Sequence, residues 1–162
     1  MSARQDGAPS AAELYERYGL ALHRYALMLL ANRQDAEDAV QQVFASLLKR
    51  PAVHFESPEA YLRTAVRNES LGLLRRRTNR PDGADALLEP LSGVVDRPEE
   101  RLAIEAAMRL LPPEQREVVH LKVFEGMTLQ EIATLTSESI NTVASRYRYA
   151  MEKLRAALGG RP

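Results

Sequence analysis

Apolar residues recur along this chain at helical spacing, and no stretch alternates as a half-buried strand would. Leu14, Tyr18, Leu22, Tyr25 and Leu29 share one face of a first helix. A second helix is predicted from Asp35, because the acidic first turn Asp35, Glu37 and Asp38 suits the positive end of the helix dipole. Its apolar stripe is Ala36, Val40, Val43, Phe44 and Leu47, and Pro51 ends it. A loop from Pro51 to Ser57 follows. Ser57-Pro58 then reads as N-cap and first helical residue of a third helix, reaching roughly Arg77 with Leu62, Ala65, Val66, Leu73 and Leu74 inward.

From Asn79 to Asp96 the rhythm fails, and Pro81, Gly83, Pro90, Gly93 and Pro98 crowd together as in a linker. Periodicity resumes with Leu102, Ala106 and Leu110, and Pro112-Pro113 breaks it. A helix from Glu114 to Phe124 stops at Gly126, a suitable C-terminal cap. Thr128-Leu-Gln-Glu131 fits a capping box and opens a short helix to about Leu135. After the polar turn Thr136 to Ser139, a last helix runs to about Leu158 with Val143, Tyr147, Ala150, Met151 and Leu154 inward. The expected fold is all-α: two small helical domains, an N-terminal bundle over 10–78 and a C-terminal helix-turn-helix over 98–159, joined by a flexible linker at 79–97.

Composition narrows the chemistry. The 162 residues are 45% hydrophobic, enough for one medium core or two small ones, and 27% charged with no low-complexity tract. The absence of cysteine removes disulfides, thiolate metal sites and a thiol nucleophile. The polar start leads into no signal-peptide core, and the longest apolar run, Ala26 to Ala31, is too short to span a bilayer. A cytoplasmic protein without membrane insertion is expected. His23, His54 and His120 are scattered, and Asp35, Glu37 and Asp38 resemble a metal cluster only as an exposed acidic first turn would. No catalytic, cofactor or metal site is expected, which makes an enzyme the poorest reading.

Formal net charge is zero, yet the charges come in blocks. Arg63, Arg67, Arg75, Arg76, Arg77 and Arg80 stand against Glu69 alone. Residues 82–105 are mainly acidic, and the tail turns basic again through Arg146, Arg148, Lys153, Arg155 and Arg161. Two anion-facing surfaces with a solvated connector fit that pattern. Two short helices and a tight turn, the second helix longer and basic, is the helix-turn-helix plan, whose second helix enters the major groove. With Val143, Tyr147, Ala150 and Leu154 inward, Asn141, Ala144, Ser145 and Arg148 share the opposite side. Arg146, Tyr149 and Lys153 are placed to reach phosphates. An ordinary amphipathic helix with a solvated basic face fits the same pattern.

Three segments, Leu111-Pro-Pro-Glu-Gln-Arg-Glu-Val-Val119, Glu125-Gly-Met-Thr-Leu-Gln-Glu-Ile-Ala133 and Asn141 to Arg155, resemble the DNA-binding C-terminal domain of bacterial RNA polymerase sigma factors of the extracytoplasmic-function (ECF) type. Leu14-Tyr-Glu-Arg-Tyr18, Asp35 to Phe44, Tyr61 to Asn68 and Leu74-Arg-Arg-Arg77 resemble that family's other domain. The resemblance implies a protein that binds core RNA polymerase, at the β′ clamp helices and β flap, and directs promoter-specific initiation. It places Glu37, Asp38, Gln41 and Gln42 on the polymerase-docking helix. Phe55, Tyr61 and Asn68 fall where the family melts the minus-ten element and holds unpaired bases, although the family commonly has tryptophan at Tyr61. A stacked base would gain roughly 1–3 kcal/mol from an aromatic such as Phe55; Phe55 folded onto the core is the alternative. Arg75, Arg76 and Arg77 either follow phosphates or favour their helix's C-terminal end. In the minus-thirty-five domain the base-facing positions fall on Ala144, Ser145, Arg148 and Tyr149.

The turn departs from the usual pattern, with Ser137 and Glu138 where a small residue and an apolar plug are common; Ile140 is the expected substitute contact. A stand-alone helix-turn-helix regulator explains Thr128 to Leu158 but leaves the acidic helix idle. A sigma-like interaction module without initiation activity also fits. With the chain ending soon after Leu158, sensing is expected to lie in a partner such as an anti-sigma factor.

Overall fold

The computed structural model describes residues 8–50, 55–77 and 97–159, so the predicted linker, apart from Arg97, and most of the loop after Pro51 lie outside the described residues. Among the described residues seven α-helices follow one another: α1 (Ala11–Leu30), α2 (Arg33–Leu48), α3 (Pro58–Arg76), α4 (Pro98–Arg109), α5 (Pro113–Val119), α6 (Leu129–Thr136) and α7 (Ile140–Ala157). Local sequence sets their ends. Ser10, Ser57, Thr128 and Ser139 each accept a backbone N–H from the first turn, and Thr128 and Glu131 close the full capping box. α2 starts two residues before the predicted Asp35, because the Asn32 side chain accepts the Asp35 N–H at 2.9 Å. After α5 the chain widens into a π-helical turn, His120–Phe124, closed by Glu125 N–H to the His120 carbonyl at 3.1 Å, and Gly126 then takes a positive φ of 69°.

α1, α2 and α3 pack on one another, and α5, α6 and α7 do likewise with α4 laid on α7. The two units also meet. One apolar cluster runs from Leu22, Val40 and Leu62 into Leu121, Ile132 and Val143, while Met28 at the end of α1 joins Met108, Leu111 and Leu154 in a second. This second contact alters α1. A single stripe gives way to unbroken burial from Tyr25 through Leu30, as expected of a helix covered on more than one side. α4 differs from expectation as well: Leu102, Ala106 and Leu110 face outward, and Ala107 and Met108 supply its buried face.

Between α6 and α7, Ser137 adopts the left-handed conformation, φ 57° and ψ 36°. Its N–H and that of Glu138 return to the carbonyls of Thr134 and Ala133 at 3.4 and 3.1 Å, closing the α6 end without glycine. Ile140, the expected plug, stays partly exposed. A side chain in this region is strained by about 1 kcal/mol. Ser137→Gly is therefore expected to stabilise the protein by about 0.5 kcal/mol, net of the glycine's extra unfolded-state entropy. Urea unfolding followed by circular dichroism checks this; a lower midpoint would show that Ser137 bears no strain.

Candidate nucleic-acid interface

The turn at Ser137 leads into α7, which packs on α4, α5 and α6. Val143, Ala150 and Leu154 anchor it, with Tyr147 and Met151 partly buried beside them. Asn141, Arg148 and Tyr149 are exposed, and Ala144 and Ser145 are half-buried between them. The Arg148 guanidinium lies 5.1 Å from the Tyr149 ring centroid, which preorganises a flat cationic edge. Arg146 is drawn aside to Glu138 at 3.2 Å, while Lys153 is exposed. The predicted base-facing residues thus share one accessible ridge, and neither Ser145 nor Arg148 is enclosed.

On the N-terminal unit, Glu37, Asp38, Gln41 and Gln42 are all exposed along α2, opposite the buried Ala36, Ala39, Val40 and Val43. Gln34 Nε2 donates to Asp38 Oδ1 at 3.0 Å. Phe55 stacks on Tyr61 with ring centroids 4.4 Å apart, and Arg50 Nη1 donates to the Tyr61 hydroxyl at 2.8 Å. The two aromatics named from sequence therefore form one platform. Asn68 is exposed further along α3. Of the three consecutive arginines, Arg75 and Arg76 are exposed, whereas Arg77 is ion-paired with Asp35 and reaches the Leu30 carbonyl at 3.4 Å. Arg77 thus ties α3 to α1 and α2 in this conformation.

A polar cluster that sequence reasoning missed lies between the two units. The Tyr25 hydroxyl donates to Glu117 Oε1 at 2.6 Å, and Arg67 Nε reaches the same oxygen at 2.7 Å. Beside it, Arg63 Nε donates to Glu125 Oε2 at 2.8 Å, and Arg63 Nη2 reaches Glu59 on its own helix at 2.8 Å. Burial first, then the Glu117 carboxylate, push the Tyr25 phenol well above its ordinary range, so it remains a donor. Burial alone would lower Arg67, but the hydrogen bond and charge of Glu117 outweigh it and raise the group. His120 stacks on Tyr25 at 5.8 Å and lies 3.4 Å from Glu125, yet neither ring nitrogen has a hydrogen bond. One signal was legible: Glu117 stands four residues before the fully buried Leu121, a carboxylate on an apolar stripe.

Comparison with known proteins identifies two family models along the chain. Residues 14–80 match the family model of Sigma-70 region 2, and residues 101–154 match that of Sigma-70, region 4. The chain is similar to the ECF RNA polymerase sigma factor SigL of Mycobacterium tuberculosis, 31% identical over 169 residues covering 96% of each chain. It is also similar to SigM of that organism, 32% identical over 153 residues, 91% of this chain and 76% of the other. The fold resembles that of the sigma factor RpoE from Bartonella quintana, solved with the anti-sigma factor NepR, at TM-score 0.66 and 24% identity over 88% of this chain and 94% of that one. A helix-turn-helix unit paired with a three-helix N-terminal unit, matched to regions 4 and 2 respectively, defines a sigma-70-type arrangement. The chain belongs to the ECF RNA polymerase sigma factors. It binds core RNA polymerase and directs it to promoter DNA. No described helix is long and apolar enough to cross a membrane.

Proposed function

We propose that the two units divide the promoter between them. The exposed α2 face, Glu37, Asp38, Gln41 and Gln42, docks on the β′ clamp helices, and the C-terminal unit meets the β flap. Phe55 and Tyr61 receive an unpaired base of the minus-ten element, with Asn68 facing the melted strand and Arg75 and Arg76 following its phosphates. Asn141, Ala144, Ser145, Arg148 and Tyr149 enter the major groove at the minus-thirty-five element, with Arg146 and Lys153 on its phosphates. Binding at two elements through one chain raises effective concentration, so neither unit needs high affinity alone. The protein works in the cytoplasm by binding rather than by catalysis, and an anti-sigma factor is its inhibitor; the relative from Bartonella was solved with such a partner.

The observation that carries this reading is the α7 ridge: an exposed short polar residue and guanidinium, with a half-buried small residue and hydroxyl between them, beyond a tight turn. Guanidinium recognition of a base edge is worth roughly 1–3 kcal/mol. Run-off transcription with core polymerase and genomic fragments is the test. Promoter-specific transcripts are expected, and Arg148→Ala should weaken them between about five- and a hundred-fold at subsaturating protein. Polymerase binding without any specific transcript would favour the interaction-module reading.

A further inference from the structure

Glu138 stands in the turn before α7, at the place where an apolar plug is common, and neighbouring Ile140 stays exposed instead of taking that part. Its carboxylate accepts from Arg146 Nη2 at 3.2 Å, across the turn and more than two helical turns on. Ser137, at φ 57° and ψ 36°, reverses the chain immediately before it. On α7, Arg146 and Lys153 lie two turns apart and so share one flank, beside Tyr149 at the edge of the base-facing ridge. That is the flank given to phosphates above. Arg146 therefore has two acceptors in competition, because a phosphate offers a guanidinium charged oxygens much as a carboxylate does.

We propose that Glu138 attenuates the hold of α7 on DNA: it competes with phosphate for Arg146, so each contact of Arg146 with the backbone is offset by breaking the pair. This rests on the major-groove role given to α7 above, and adds the residue that sets the strength of the contact. The pair is built to be displaced. Its 3.2 Å length exceeds the roughly 2.7–2.9 Å of a strong charge-assisted bond, and both side chains meet water, Arg146 at 27% and Glu138 at 39% exposure. Such a pair contributes little to folding, whereas an apolar residue buried at the same place would contribute more. Attenuation also suits a chain that grips two elements at once. Phosphate contacts carry no sequence information, so a strong one would hold any duplex, while linkage of the two units already supplies effective concentration.

The test is a double-mutant cycle in holoenzyme formed from core polymerase and each full-length variant. The probe is a fluorescent duplex from a fragment that gives specific run-off transcripts, cut upstream of its minus-ten element so that no strand opening enters. E138Q should tighten binding roughly two- to five-fold, as loss of a competing exposed ion pair implies. R146A should weaken the wild type less than about two-fold, since the lost phosphate contact is offset by a pair that need not break. In the E138Q background R146A should weaken binding at least two-fold more than it does in the wild type. The cycle removes the general effect of taking a carboxylate away from DNA, and that of Glu138 on the α7 dipole, because both are present with or without Arg146. Urea midpoints of the free proteins should stay at the wild-type value. Equal effects of R146A in both backgrounds would leave Glu138 a mere repulsive charge. Weaker binding by E138Q would make it a strut that holds Arg146 on phosphate, and unchanged binding with a lowered urea midpoint would make the pair the plug of the turn. Each of these overturns the proposal. No specific transcript from the wild type sinks the promoter role of α7 and the proposal with it, whereas normal transcripts with any of those three results sink the attenuation alone.

Discussion

Leu121→Ala is expected to lower the free energy of unfolding by about 2–5 kcal/mol, the range for emptying a fully enclosed leucine site. Leu121 is 0% exposed on the π-helical turn and belongs to the cluster that α1, α2 and α3 share with α6 and α7. Its side chain is enclosed by residues from several helices, which cannot all move in to fill the space, so both the transfer and the cavity contributions should be felt. Domains of this size are typically stable by only about 5–15 kcal/mol, so the loss is a large share. Leu110→Ala is the control: that side chain is 76% exposed, and its removal should change stability by less than about 0.5 kcal/mol. Urea denaturation of both variants measures the contrast. A cost below about 1 kcal/mol for Leu121→Ala would mean that the shared cluster does not enclose this residue in solution.

Much of the fold could be read from local patterns, because local physics sets it. The Ser57-Pro58 start, the Thr128–Glu131 capping box and the Gly126 stop involve residues within a few positions of one another, and each stands as expected. The departures have a different origin. Burial right round the end of α1 follows from one unit packing on the other, and the outward turn of Leu102, Ala106 and Leu110 from α4 lying on α7; periodicity carries no record of a contact between distant segments. A stripe of leucines marks a face fit for burial, but the partner decides which face is used. The same limit governs the candidate site. Asn141, Ser145 and Arg148 could be named because helix geometry alone puts them opposite the anchors. The seam pairs could not, since 50 residues separate Arg67 from Glu117 and 62 separate Arg63 from Glu125. Arg67 read as one more member of a basic block; only its partner gives it a distinct role.

Reversing charge on the proposed docking face should abolish function with little change in stability. Glu37, Asp38, Gln41 and Gln42 cover one exposed strip of α2, and a surface of carboxylates and amides calls for a basic, hydrogen-bonding partner. Placing arginine at Glu37 and Asp38 sets like charges against that partner, and such juxtaposition costs several kcal/mol at a desolvated interface. Affinity for core polymerase should fall at least a hundred-fold, about 2.7 kcal/mol. The free protein should lose no more than about 1 kcal/mol, chiefly because positive charge near a helix N-terminus opposes the dipole. Competition against a labelled wild-type protein for core polymerase, with urea unfolding alongside, separates the two effects. Near-normal competition by E37R/D38R would move the docking site off α2. A matching loss of stability would assign Glu37 and Asp38 to helix capping, which their position near Asn32 also allows. A charge pair that governs polymerase binding while contributing little to folding is what separates a docking surface from a solvated helix face.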